Sequence, residues 1–346
     1  MNSSCICGIC RRKTQSLNAS NPADIALAAD LLRAGELVAM PTETVYGLAA
    51  NALDEAAVAR IFAAKGRPQD NPLIAHVYDE EQARKLVKAW PFTATLLAGA
   101  FWPGPLTFIL QRDERVPGIV SAGLSTLALR VPAHPAAQAL LRAAGIPLAA
   151  PSANRSGSPS PTLASHALYD LNGKIAAVLD GGPCTVGVES TVLDLTSKTP
   201  CLLRPGGVPV EQLEAALGQA VEISPAVAQS LEGDAPAPSP GMKYRHYAPR
   251  AALTLVHGTL RAFLAHAMRK MPDGLLVFDA DAIPGAWPIL RFGDTPEQQA
   301  QQLFARLREI DERGWRTAFV RCPEKDGLGL AVYNRLLRAA NFREVS

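Results

Sequence analysis

Ile146-Pro147-Leu148-Ala149-Ala150-Pro151-Ser152-Ala153-Asn154-Arg155-Ser156-Gly157 is the stretch whose reading decides the fold. Its apolar run, 146–150, has the length of a buried strand and empties directly into small polar residues. In open α/β sheets ligands gather just past the carboxyl ends of strands. A turn of Ser, Asn and Gly offers hydroxyls, an amide and uncrowded N–H groups to phosphate oxygens there, although such residues also end strands for purely conformational reasons.

The pattern recurs on both sides. The run 37–40 leads into Pro41-Thr42-Glu43-Thr44-Val45-Tyr46-Gly47-Leu48, where hydroxyls, a carboxylate and a phenol converge. A capped turn whose threonines satisfy backbone donors is the other reading of that segment. A helix from Asp54, with Val58, Ile61 and Phe62 on one face, runs into Lys65-Gly66-Arg67-Pro68-Gln69-Asp70-Asn71-Pro72 and then the strand-like run 73–77. Cations at a helix C-terminus serve as dipole partners, yet two of them set between Gly and Pro also suit a polyphosphate. Arg130 sits in the apolar run 127–131 and needs a planar partner, either a structural Asp or Glu or the carboxylate of a small substrate. Gly181-Gly182-Pro183-Cys184-Thr185-Val186-Gly187-Val188-Glu189-Ser190-Thr191 feeds a further strand, and Arg204-Pro205-Gly206-Gly207 follows the next. Five such turns on apolar strands argue for convergence on one cleft.

Around these turns, runs at 106–110, 176–179, 191–195 and 201–203 read as strands, with helices at about 80–90, 134–144 and 210–217. Several strands lack an intervening helix, so a mixed sheet is expected. Asn21-Pro22 opens the first helix and Gly35 stops it, which starts the fold near residue 20. Residues 224–240 turn rich in Pro, Ala and Ser, as an extended linker does. Beyond it, 253–256, 275–278 and 317–320 read as buried strands, and Thr295-Pro296-Glu297-Gln298 is a capping box before a helix with Leu303, Leu307 and Ile310 on one face. The resulting division is an extension over 1–19, a first domain over 20–222, a linker over 223–250 and a small α/β domain over 251–346.

With 346 residues the chain exceeds one average core, which agrees with two domains. A net charge of +2 gives no global pull toward nucleic acid or membrane. No apolar run is long enough to cross a bilayer and the N-terminus lacks a signal-peptide core, so a cytoplasmic protein is expected. Cys5, Cys7 and Cys10 supply only three thiolates and no nearby histidine, and read as part of a disordered extension in preference to a zinc site. P-loop, Gly-x-Gly-x-x-Gly, His-Glu-x-x-His and Gly-x-Ser-x-Gly patterns are all missing. A site of cations, hydroxyls and backbone donors works by positioning reactants and stabilising phosphate charge, as nucleotidyl transfer requires.

Together, Pro41-Thr-Glu-Thr-Val-Tyr-Gly-Leu48, Lys65-Gly-Arg-Pro68 with Asn71-Pro-Leu73, Pro151-Ser-Ala-Asn154 and Arg204-Pro-Gly206 resemble the YrdC-like threonylcarbamoyl-AMP synthase family over about residues 20–222. Ser239-Pro-Gly-Met-Lys-Tyr-Arg-His-Tyr-Ala-Pro249 and the α/β tail look like its long, two-domain form. The resemblance implies a YrdC-like twisted mixed sheet with flanking helices, plus a smaller Rossmann-like α/β C-terminal domain. It implies an enzyme, an L-threonylcarbamoyladenylate synthase, that combines L-threonine, bicarbonate and ATP with Mg2+ and releases pyrophosphate. A threonylcarbamoyl transferase complex would then modify the tRNA adenosine next to the anticodon. By motif position, Thr44, His76, Arg130, Ser152 and Ser190 would hold threonine. Lys65, Arg67, Asn71, Thr126, Asn154, Thr162 and Arg204 would hold ATP, with Lys65 and Arg67 acting on its phosphates; Tyr244, Arg245 and His246 would approach the nucleotide from a linker that closes as a lid. No protein metal site is implied. The alternative is a non-catalytic protein that binds tRNA or double-stranded RNA, against which the near-neutral charge argues. A carbamoyl-phosphate-using relative from hydrogenase maturation would need acylphosphatase-like and zinc-finger regions that this chain lacks.

Overall fold

Short apolar runs bounded by Gly, Pro and Asx turns become the strands of two sheets in a computed structural model that describes residues 13–229 and 247–346. The first sheet comprises β1 (Gln15–Asn18), β2 (Val38–Met40), β3 (Gly47–Asn51), β4 (Ile74–His76), β5 (Leu106–Gln111), β6 (Thr126–Arg130), β7 (Leu148–Ala149), β8 (Ala177–Asp180), β9 (Thr191–Asp194), β10 (Cys201–Arg204) and β11 (Glu222–Ile223). Their order is β1-β8-β2-β3-β7-β4-β6-β5-β9-β10-β11. The sheet is mixed, as the missing helices between strands require: β4 and β6 are parallel, while β3, β7 and β4 pair antiparallel.

Both faces are buried, and the two-residue period of a strand divides its side chains between them. Ala39, Leu48, Ala50 and Ala149 face a core with Val58, Ile61 and Phe62 of the helix Glu55–Lys65. Val38, Met40, Ala49 and Leu148 face the opposite core, against Leu32 of the helix Pro22–Arg33 and Leu140 and Leu141 of the helix Pro135–Ala144. Asn21 caps the first of these helices, accepting from Ala23 N at 3.1 Å. Asp54 caps the helix Glu55–Lys65, which ends at Gly66 in the left-handed region, φ 61°.

The chain joins the fold earlier than residue 20. β1 pairs in parallel with β8, and Thr14 Oγ1 donates to Ile175 O at 2.9 Å. With Leu17 as its one buried apolar residue, this edge strand has almost no periodic signal; backbone pairing makes it. Residues 1–12, with Cys5, Cys7 and Cys10, lie outside the described residues, as do residues 230–246 with Tyr244, Arg245 and His246. Part of the 41–48 turn is strand β3, built from Gly and Ala of weak β preference and decided by its neighbours β2 and β7.

The second sheet contains β12 (Ala252–Val256), β13 (Gly274–Val277), β14 (Ile289–Arg291), β15 (Thr317–Arg321) and β16 (Glu344–Val345), in the order β14-β13-β15-β12-β16 and wholly parallel. Leu253, Leu255, Leu276 and Val320 pack against the helices Pro296–Glu312 and Gly327–Ala339. Val256, Leu275, Val277 and Phe319 pack on the other face against the helix Leu260–Lys270. This is the Rossmann-like layering of helices on both faces of a parallel sheet. The Thr295 and Gln298 capping box forms, and Leu303, Leu307 and Ile310 are fully buried.

Val45 and Val188 of the first sheet's turns belong to the second core. Gly187, at φ 82°, lets the backbone press against Ala300, where a Cβ would collide. Among the described residues no helix is long and apolar enough to cross a membrane.

Candidate functional site

Strand register brings the polar turns together. His76 and Arg130 are direct partners on parallel β4 and β6, His76 also faces Leu148 of β7, and Ser152, just past β7, bridges to Gly47. Ser190 precedes β9 and Arg204 ends β10. One pocket results, lined by Thr44, Arg67, His76, Arg130, Ser152, Glu189, Ser190, Arg204 and Tyr247 with Pro72, Leu73, Ile74 and Ala150 as part of its apolar wall.

Arg130 is buried and held on three sides: Nε donates to Gly104 O at 3.1 Å, Nη1 to Thr44 Oγ1 at 2.8 Å and Nη2 to Glu43 Oε1 at 2.6 Å. The structural carboxylate is therefore Glu43. A guanidinium carries five N–H groups, so two remain for a ligand. The 41–48 turn is also the capped turn its threonines allow: Thr42 Oγ1 donates to Val45 O at 2.6 Å and meets Thr44 Oγ1 at 2.8 Å.

His76 is buried beside Arg130, and its Nδ1 lies 3.2 Å from Ile74 O. Burial first, and the Arg130 charge second, push its pKa down to about 3, so it stands neutral in the pocket wall. Arg204 is buried too; burial above all lowers its pKa to about 10, which leaves it a cation. Its Nε and Nη2 donate to Ser190 O at 3.1 and 3.0 Å, and Nη2 reaches Ser190 Oγ at 3.2 Å. Ser190 Oγ also meets Thr107 Oγ1 at 2.7 Å. Gly206 makes this possible, since a Cβ there would drive into the backbone of Glu189, Ser190 and Thr191.

All five residues expected to hold threonine line the pocket, together with Arg67 and Arg204 from the expected ATP set. Lys65, Asn71, Thr126, Asn154 and Thr162 are not in its wall. The buried Lys65 ammonium donates to Ser152 O, to Asn154 O at 2.7 Å and to Asn154 Oδ1 at 3.3 Å. Those three acceptors match its three N–H groups, so Lys65 shapes the turn. Burial, then Arg67, holds its pKa well below the usual lysine range. Asn154 is occupied likewise, its Nδ2 donating to Arg155 O at 2.9 Å and Ser158 O at 2.7 Å while Oδ1 accepts from Ser152 Oγ at 2.6 Å. Arg67 Nη2 donates to the carbonyls of Asn71 and Pro72, each at 3.2 Å. Thr126 opens β6 opposite Gln111, Asn71 is fully buried, and buried Thr162 accepts at its carbonyl from Cys184 N at 3.1 Å.

Glu43, Glu189 and Tyr247 were not singled out from the sequence. For the two glutamates a signal existed: each adjoins a nominated residue, and buried arginines call for carboxylates. Tyr247 had only its place at the end of an aromatic and basic motif; it is buried at φ 64° with its ring 5.4 Å from that of Phe304. Three arginines facing one pocket, with both carboxylates engaged by arginines, suit an anionic ligand.

Comparison with known proteins identifies the family. The Sua5/YciO/YrdC family model, described as telomere recombination, matches residues 30–206. The model for the threonylcarbamoyl-AMP synthase C-terminal domain matches residues 208–341. A threonylcarbamoyl-AMP synthase of Pyrococcus abyssi is 47% identical over 331 residues, covering 92% of this chain and 94% of the relative. One of Bacillus subtilis is 42% identical over 345 residues, covering 96% and 97%. The crystal structure of P. abyssi Sua5 complexed with L-threonine superposes with a TM-score of 0.89 at 44% identity, covering 96% of this chain and 98% of that one.

Proposed function

This chain belongs to the threonylcarbamoyl-AMP synthase family and is an enzyme of the nucleotidyl-transfer type, and from that premise we propose that it makes L-threonylcarbamoyladenylate from L-threonine, bicarbonate and ATP. One observation carries the reading. Thr44, His76, Arg130, Ser152 and Ser190 line a single pocket with Arg67 and Arg204, which supports an amino-acid subsite beside a cationic one. The P. abyssi Sua5 structure complexed with L-threonine supports threonine as the amino acid.

In this reading the two unengaged N–H groups of Arg130 take the threonine carboxylate as a bidentate pair. Thr44, Ser152 and Ser190 orient the rest of the amino acid, and neutral His76 adds no charge that would repel its ammonium. The ammonium gives up a proton to become the attacking amine, and bicarbonate takes up a proton and loses water to give carbon dioxide. The amine's addition product sheds a further proton to solvent, and the resulting carbamate oxygen attacks the α-phosphorus of ATP. The bond from that phosphorus to the bridging oxygen breaks, and pyrophosphate leaves. Arg67 and Arg204 offset the charge that develops on the phosphates; magnesium enters with ATP as part of that substrate. No protein nucleophile is required. The expected nucleotide role of Lys65, Asn71, Thr126, Asn154, Thr162, Tyr244, Arg245 and His246 remains part of the proposal, and Lys65 also holds the Ser152 turn.

The product would pass in the cytoplasm to a threonylcarbamoyl transferase complex, for modification of the adenosine beside the anticodon of tRNA. Incubating the chain with threonine, bicarbonate, ATP and magnesium, then looking for threonylcarbamoyl-adenylate by mass spectrometry, tests the reaction. Pyrophosphate release that does not depend on threonine would sink it.

A further inference from the structure

Glu189 stands in the pocket wall, and its partner comes from the other domain. Arg335, on the helix Gly327–Ala339, is fully buried, and its Nε donates to Glu189 Oε2 at 2.6 Å. Its Nη2 donates to Pro205 O at 3.0 Å, its Nη1 to Asn334 Oδ1 at 2.7 Å, and its guanidinium lies 5.5 Å from the centre of the Tyr247 ring. Glu189 Oε1 accepts from Ser160 Oγ at 2.6 Å. A second arginine of the C-terminal domain, Arg308, donates to Pro159 O and to Asp170 Oδ2 at 2.7 Å, so residues 159 and 160 are tied to both long helices.

One guanidinium thus touches two parts of the pocket wall, Glu189 at the entry to β9 and Tyr247, and also Pro205, which follows the wall residue Arg204. As a plain strut it would be a poor choice, because burying an arginine and a carboxylate costs desolvation that packed apolar residues avoid. Its value lies in where it holds the carboxylate. Glu189 is covalently next to Ser190, whose hydroxyl and carbonyl meet Arg204, and Gly206 packs directly on that backbone. A lysine could keep the charge of Arg335 but could not bond Glu189, Pro205 and Asn334 at once from a planar fork.

We propose that Arg335 is a positioning residue for the amino-acid side of the pocket: through Glu189 it sets Ser190 against Arg204, so the C-terminal domain completes the site. The inference rests on the threonine-dependent reaction proposed above.

The test uses the full chain as wild type, Arg335→Lys, Glu189→Gln and the double variant, with threonine-dependent pyrophosphate release and thermal melting as readouts. Arg335→Lys is expected to raise KM for threonine on the order of tenfold, the loss of one or two charge-assisted hydrogen bonds. KM for ATP, whose phosphates Arg204 faces in that reading, should rise less than KM for threonine, and the protein should still melt cooperatively. Glu189→Gln should act in the same direction, and the double variant should be no worse than the poorer single one, because both disturb one contact. An unchanged KM for threonine in a folded Arg335→Lys, equal losses for both substrates, or additive effects would overturn the proposal. If Arg335→Lys does not fold, Glu189→Gln, which keeps shape and volume, decides by the same KM criterion. If the wild type releases no pyrophosphate, the reaction itself is wrong, and L-threonine affinity by calorimetry on the four proteins decides the positioning role separately.

Discussion

Arg130 donates to Glu43 at 2.6 Å, and with side-chain exposures of 4% and 8% the pair is largely buried. Truncating one partner of such a pair leaves the other charge buried and uncompensated, at a cost of about 3–5 kcal/mol. Glu43→Ala is therefore expected to lower unfolding free energy by about that amount in urea. A loss below about 1 kcal/mol, the range of exposed pairs, would show that water reaches Arg130.

Arg130→Lys keeps a cation but not the planar fork that serves Gly104, Thr44 and Glu43 together. Steady-state kinetics should show KM for threonine raised at least about tenfold, with KM for ATP changed much less. Equal changes in both would remove the carboxylate clamp from the mechanism.

Lys65→Met should loosen the Ser152-Ala153-Asn154 turn, because three carbonyl oxygens each lose a hydrogen bond at once. The loss is expected to fall on both substrates, since the turn adjoins both subsites, and to reach about tenfold or more in kcat/KM for each. A defect confined to ATP would assign Lys65 to the phosphates alone.

His76 has a folded-state pKa near 3, below its ordinary 6.5, so the folded chain binds the proton less readily than the unfolded one. Its contribution is complete above pH 6.5 and declines as pH falls from there toward 3. Between pH 6.5 and 4.5 this predicts a loss of about 2–3 kcal/mol from this residue. His76→Gln should flatten that part of the stability curve, measured by denaturation at both pH values; an unchanged slope would mean that His76 titrates freely.

Gly206→Ala is expected to destabilise the chain by about 1–3 kcal/mol or more, because its Cβ meets unyielding backbone at Ser190 and Thr191. Gly99→Ala, in the helix Phe92–Phe101 with open space around it, should be neutral or stabilising by about 0.5–1 kcal/mol. Similar melting temperatures for the two variants would refute the close approach at Gly206.

Much of this architecture was legible locally. Asn21, Asp54 and the Thr295 capping box announce their helices because a cap is an interaction of neighbours in the chain, and the short apolar runs at 253–256 and 317–320 announce buried strands. The motif turns also marked residues that line the pocket, among them Thr44, Arg67, Ser152, Ser190 and Arg204. Neighbouring residues could not reveal β1, whose signal is one buried leucine, nor β3, made of glycine and alanine; each exists through its pairing partners.

The choice of partner for each buried charge likewise belonged to the assembled molecule. Lys65 meets carbonyls 87 and 89 residues away, Arg130 meets Glu43 87 residues away, and Arg335 crosses 146 residues to Glu189. Composition and spacing reveal which side chains can carry charge and which segments can be strands. They do not reveal which charges become neighbours, because that depends on strand order and register in the first sheet and on how the second domain docks, and burial then forces each charge to take the partner the packing supplies.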